Sequence, residues 1–204
     1  GPGGRIVTNV LDLAPVAKTK YQTTGVTAGQ ATTNITTLQN GINGLIPSAY
    51  QPVAESYYEV TRYFRGLQPN YNSTPTKYTS PIQYRCQKNY GVVITDGLPT
   101  YDRTFPINDP DDVLNTARSL PNWDLNAAND GTNINGDAEG NALFLDDIAK
   151  FAYDIDMRKA AEGTDLALKS WDDTNFAQQN MNAYTIGFIA GNQMLIDAAD
   201  STHG

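Results

Sequence analysis

The sequence predicts an α/β fold: a Rossmann-like, doubly wound, mostly parallel sheet with helices on both faces and long loop insertions. Three observations predict it. Tyr90-Gly91-Val92-Val93-Ile94-Thr95-Asp96-Gly97 is a short apolar run ending in Thr-Asp-Gly, the pattern of a buried parallel strand. Ala183-Tyr184-Thr185-Ile186-Gly187-Phe188-Ile189 repeats that character and again stops where a helix can start. Segments of helical period lie before and between the two runs. In open α/β sheets, ligands gather outside the carboxyl ends of the strands, so Asp96 stands where binding is usually done.

The elements follow in order. Ile6 to Val10 reads as a strand, and Ala14 to Thr33, rich in Thr, Gly and Gln, as an exposed loop or hairpin. Ile35, Leu38, Ile42, Leu45 and Ile46 recur at helical spacing. Gly41 and Gly44 each weaken that helix by about 1 kcal/mol relative to Ala. It ends before Pro47, because the residue ahead of a proline is pushed out of the α region. Pro52 opens a second helix, where its missing N–H costs nothing. Val53, Tyr57, Val60 and Phe64 mark the apolar face of that helix, and Gly66 stops it. Tyr57 and Tyr63 read as packing residues, with Tyr58 off the apolar stripe. Residues 67–82 form a surface excursion of prolines and asparagine-rich turns.

Residues 97–141 are the most irregular stretch, with a short helix expected around Asp112 to Ser119. Asp109, Asp111 and Asp112 suit a helix start better than a metal. A loop this long in one domain is usually functional or an insertion. Leu145, Ile148, Ala149, Ala152 and Ile155 then line one face of a clear helix. Asp146 and Asp147 in its first turn, with Arg158 and Lys159 closing it, complement the helix dipole. After the second apolar run, Asn192 caps a last helix through Met194, Leu195, Ala198 and Ala199.

Composition narrows the function. The chain has 204 residues, 40% hydrophobic and 18% charged, enough for one sizeable domain or a generous part of one. A net charge of -8 and a pI near 4.5 exclude the basic footprint of a nucleic-acid binder. No apolar stretch reaches the ~18 residues of a membrane span. Gly1 to Gly4 read as a loop or a protease scar. The single cysteine, Cys86, is expected to be either a buried thiol or half of a bridge to a partner beyond the segment. Asn34-Ile35-Thr36 and Asn72-Ser73-Thr74 match glycosylation sequons. Enzyme chemistry finds little support. Asp96 lacks the second carboxylate two residues on that phosphoryl transfer would want, since Leu98 stands there. No Gly-x-Ser-x-Gly elbow occurs, and the one histidine is His203 at the end of the chain.

Four ordered segments carry a family resemblance. Pro47 to Glu55 resembles the Thr-Pro-Leu-Ala-Glu turn and helix of von Willebrand factor A domains. Ser80 to Tyr90 leading into Val92-Val93-Ile94-Thr95-Asp96-Gly97 is similar to the A domain of PilC/PilY-type tip proteins of type IV pili. Leu145 to Phe151 and Gln179 to Phe188 follow the same family in order. The resemblance implies a partial A domain over residues 5–204 of a secreted, pilus-associated surface protein. It also implies a non-enzymatic role in adhesion and pilus assembly, with pilus components or host-surface proteins as partners.

Such domains hold a divalent cation at a metal-ion-dependent adhesion site built from an Asp-x-Ser-x-Ser loop, a Thr and an Asp. A hard ion such as Mg²⁺ wants about six oxygen ligands, and an open position admits a partner's carboxylate. Here Asp96 matches the family's Asp, and Gln51 occupies the Thr position. No Asp-x-Ser-x-Ser occurs in the chain. The expectation is a partial site with weak Mg²⁺ or Ca²⁺ binding and no tightly held ion, in a domain entered after its first strand and left before its last. Exposed sheet edges would follow. An alternative is a generic extracellular A-domain-like module with a calcium-stabilised loop. Asn135, Asp137, Glu139, Gly140 and Asp146 fall at positions 1, 3, 5, 6 and 12 of an EF-hand-like spacing.

Overall fold

Side chains alternate across a strand, and that period decides how the sheet is used. In a computed structural model, Asn89–Thr95 (β1) and Met181–Gly187 (β2) pair in parallel, from Asn89 opposite Met181 to Thr95 opposite Gly187. Residues 3–19, 24–46, 50–106, 109–111, 118–120, 122–126, 143–188 and 193–200 are described. On β1, Gly91, Val93 and Thr95 turn inward, while Tyr90, Val92 and Ile94 stand exposed. On β2, Met181 and Ala183 join the core, while Tyr184 and Ile186 are exposed, as is Phe188 just beyond. Both strands thus sit where the apolar runs place them. Among the described residues, however, only one face of the sheet is covered.

Four α-helices accompany the sheet among the described residues: Ala28–Asn43 (α1), Val53–Phe64 (α2), Leu145–Asp154 (α3) and Gln193–Ala199 (α4). The protein is therefore a mixed α/β chain with a small parallel sheet. α2 lies on the covered side of β1, where Gly91 is needed. A Cβ there would come within 2.4 Å of the Tyr57 hydroxyl. α4 lies on the same side of β2, with Thr185 Oγ1 donating to the Leu195 carbonyl at 2.7 Å. α3 fills the space between them. Its Ile148 and Phe151 are fully buried, beside Trp123, Met157 and Trp171.

Long connections need partners for their backbone groups. Buried carboxylates supply many of them. Glu55 accepts from the Arg103 and Thr104 N–H groups at 3.1 and 2.8 Å. Glu59 accepts from Asn70 N–H at 3.0 Å and the Tyr78 hydroxyl at 2.6 Å. Asp147 takes the Trp123 and Asp124 N–H groups, and Asp165 those of Ala167 and Lys169. Asp109 receives two Arg65 nitrogens at 2.5 and 3.0 Å and the Tyr58 hydroxyl at 2.5 Å. The guanidinium holds the Asp109 carboxyl below its ordinary range against the opposing effect of burial. α2 is the hub of these ties, contributing Glu55, Tyr58, Glu59 and, just past its end, Arg65.

Several expectations are corrected. Residues 6–10 form no strand, and the Val10 N–H goes to the Tyr63 hydroxyl at 2.9 Å instead of a ladder. The loop or hairpin expected at 14–33 has an antiparallel bridge, Val16 to Val26, in keeping with a hairpin, but its last six residues belong to α1. A capping box starts that helix: Gln30 N–H donates to Thr27 Oγ1, and Thr27 N–H to Gln30 Oε1. Thr32, Thr33, Thr36 and Thr37 fold their hydroxyls back onto carbonyls four residues earlier.

Tyr58 is fully buried, because the Asp109 carboxylate satisfies its hydroxyl off the apolar stripe. α3 ends at Asp154, so Arg158 and Lys159 do not close it; Arg158 pairs with Glu162 and Lys159 with Asp111. Asp109 and Asp111 serve ion pairs instead of a helix start. Cys86 is an exposed free thiol, not a buried one. Ser119 bridges Asn122, and the remainder of the helix expected from Asp112 lies outside the described residues apart from Arg118, as does the Asn192 cap.

Candidate functional site

The carboxyl end of β1 is built by a local turn. Thr95 Oγ1 accepts from the Gly97 N–H at 3.3 Å and donates to the Gly97 carbonyl at 3.1 Å. That turn leaves Asp96 exposed at the rim of the sheet, as its place in the sequence predicts. Gln51 reaches the same rim from the start of α2. Its N–H donates to Thr100 Oγ1 at 3.0 Å, and its carbonyl accepts from the Thr100 N–H at 3.2 Å. So fixed, the Gln51 side chain meets Asp96 across 45 positions of sequence, Nε2 donating to Oδ1 at 3.0 Å. The two residues of the expected partial site do come together. They meet through a hydrogen bond from the amide to the carboxylate.

Beside this pair opens a groove of about 610 Å³. One wall is α2, through Val53, Ser56, Tyr57 and Val60. The other is β1 from Val92 to Asp96, with Phe188 at the end. The Tyr57 ring lines this groove, while its hydroxyl is buried over Gly91 and has no hydrogen-bond partner. Burial pushes its ionisation above the ordinary phenol value, so it stays a neutral donor and acceptor at any physiological pH.

Asp102 fixes the α2 wall. Its two oxygens accept from the Ala54 and Glu55 N–H groups at 2.6 and 2.7 Å, capping a helix whose own first residue is preceded by Pro52. Burial pushes the Asp102 carboxyl up to about 7, reinforced by the nearby Glu55 carboxylate, while the N–H groups pull the other way.

Among the described residues, no group of three or more His, Cys, Asp or Glu side chains gathers around a common point. Of the calcium-loop residues, Asn135, Asp137, Glu139 and Gly140 lie outside the described residues. Asp146 is buried in the first turn of α3. The groove's polar equipment is a rim carboxylate, an amide and the Ser56 and Thr95 residues, on apolar walls. That set suits holding a ligand by shape and a few hydrogen bonds.

Sequence reasoning placed Asp96 and Gln51 and read Tyr57 as packing, and Tyr57 is indeed in the core. The signal for where Tyr57 packs is Gly91, a residue without a side chain in the middle of an apolar strand. Such a residue marks a close approach from another element. No helix among the described residues is long and apolar enough to cross a membrane. No family model, curated protein or solved structure matches the chain.

Proposed function

We propose that the chain is a non-enzymatic protein-binding module, a partial von Willebrand factor A-type domain of a type IV pilus-associated surface protein. In this reading the sheet continues into a doubly wound one with helices on both faces. The module works outside the cell, supporting attachment and pilus assembly by contact with pilus components or host-surface proteins. One observation carries the reading: Asp96 and Gln51 meet at the carboxyl rim of a parallel strand, at the mouth of an apolar groove. Ordered sequence segments that resemble this family support it. Weak cation binding belongs to the same reading, since a single carboxylate gives a hard ion few of its oxygens.

Solid-phase binding to type IV pili purified from a piliated bacterium tests the proposal. Saturable binding that falls at least fivefold in Asp96→Ala is expected, with thermal stability unchanged. Binding indifferent to Asp96 would remove the rim from the account. Calorimetric titration with Mg²⁺ is expected to show no affinity tighter than about 100 μM. Micromolar affinity lost in Asp96→Ala would mean a complete cation site.

A further inference from the structure

We propose that the groove beside β1 accepts an extended peptide strand from a protein partner, adding it to the open edge of the two-stranded sheet. The inference rests on the protein-binding half of the reading above and names the partner's chemistry.

Main-chain direction carries it first. The Phe188 N–H donates to the Thr95 carbonyl at 3.2 Å, so the Thr95 carbonyl faces β2. Peptide groups alternate sides along a strand, which turns those of Tyr90, Val92 and Ile94 away from β2. Among the described residues, β2 is the only strand paired with β1. Proteins usually shorten, charge or cover such an edge. Here Lys88 and Asp96 stand at its two ends, with Val92, Val93 and Ile94 between them.

The groove has the shape of a strand site. Its wall from Val92 to Thr95 takes in consecutive residues, whose side chains lie on both faces, so it follows the edge and not one face. Val53, Tyr57 and Val60 of α2 overhang that edge from the covered side. The Tyr57 ring lines the groove on the covered side, with its hydroxyl packed over Gly91.

Charge and the overhang choose the occupant. A second copy could set Lys88 against Asp96 about a twofold axis at Val92. It would also bring its own α2 over an edge that α2 already overhangs, and two chains of net charge -8 repel. An isolated extended segment meets neither obstacle. It carries β-branched residues along its middle, an acidic group facing Lys88 and a basic group facing Asp96. Backbone bonds to the edge give affinity, and alternate side chains give selectivity.

The test uses two fluorescein-labelled nonapeptides, Asp-Thr-Val-Thr-Val-Thr-Val-Thr-Lys and its reversed sequence, titrated by fluorescence anisotropy. Val92→Pro removes an N–H that β2 does not use, at a place where edge strands tolerate proline. Lys88→Glu reverses the charge that faces the peptide's acidic end. One of the two peptides is expected to bind, at least tenfold more weakly to Val92→Pro and severalfold more weakly to Lys88→Glu. The wild-type Val92 and Ile94 amides should gain protection from hydrogen exchange on binding, a readout that holds even if the proline variant does not fold.

Absence of binding by either peptide at millimolar concentration overturns the inference. So does binding that neither substitution weakens, or protection of the same amides by dimerisation without peptide. Loss of pilus binding beside intact peptide binding would sink the pilus reading alone. The reverse result would sink the strand site alone.

Discussion

Asp102 shows how a single side chain, remote in sequence, can set a helix start. Its carboxyl is pushed up to about 7 by burial, whereas an unfolded chain would hold it near 3.9. Between those values the folded protein keeps a proton that the unfolded chain has lost. The resulting stability is fully present below about pH 4 and is lost as pH rises through about 7. Urea unfolding of the protein and Asp102→Asn, compared at pH 5 and pH 7, isolates this group because the other carboxylates cancel in the difference. The wild type is expected to lose ground to the variant by up to ~1.4 kcal/mol per pH unit across that window. An equal difference at both pH values would mean that the fold holds Asp102 charged. Nothing local in the sequence announced this role, since the cap lies 48 residues from the N–H it serves. Asp96 was legible because a carboxylate after an apolar run needs only neighbouring residues to be understood.

At the scale of elements, period and punctuation found α2, α3 and both strands, because each combines an apolar repeat with a proline, glycine or acidic first turn. α1 was half found. Its Thr27 to Gln30 capping box was missed, because a run of threonines is ambiguous until their hydroxyls are seen bonding back to the helix. The strand expected at residues 6–10 failed for a different reason: β-branched residues make a strand only where a partner ladder exists, and Tyr63 took the Val10 N–H. The contact of α2 with β1 gives a sharper test. Gly91 leaves room for the Tyr57 ring, and an added Cβ would lie 2.4 Å from its hydroxyl. Gly91→Ala should therefore cost about 1–3 kcal/mol by overpacking. Gly91→Ala combined with Tyr57→Leu should recover much of that loss. Additive effects in this double-mutant cycle would separate the two residues and place the strain elsewhere.

For the molecule as a whole, the unresolved tension is between the rule for parallel sheets and this sheet's bare side. Parallel strands are ordinarily covered on both faces, and that rule, applied to two apolar runs, predicted a doubly wound architecture. The described chain stacks α2, α3 and α4 on one side and leaves Val92, Ile94, Tyr184 and Ile186 about half exposed on the other. The sequence could not reveal this, since an apolar run reads the same whether its second face meets a helix or solvent. Substitution can. If the face is bare in the isolated chain, Ile94→Lys with Ile186→Lys removes no packing. Unfolding free energy should then stay within about 0.5 kcal/mol of the parent, as for other surface changes. Binding of a hydrophobic dye should fall in the same variant, because two central residues of the apolar patch are gone. A buried pair would behave otherwise, since two uncompensated ammonium groups inside a core cost several kcal/mol and abolish cooperative unfolding. That outcome would mean the chain covers this face itself in solution, and the open-edge account of β1 would have to be rebuilt around the segment that covers it.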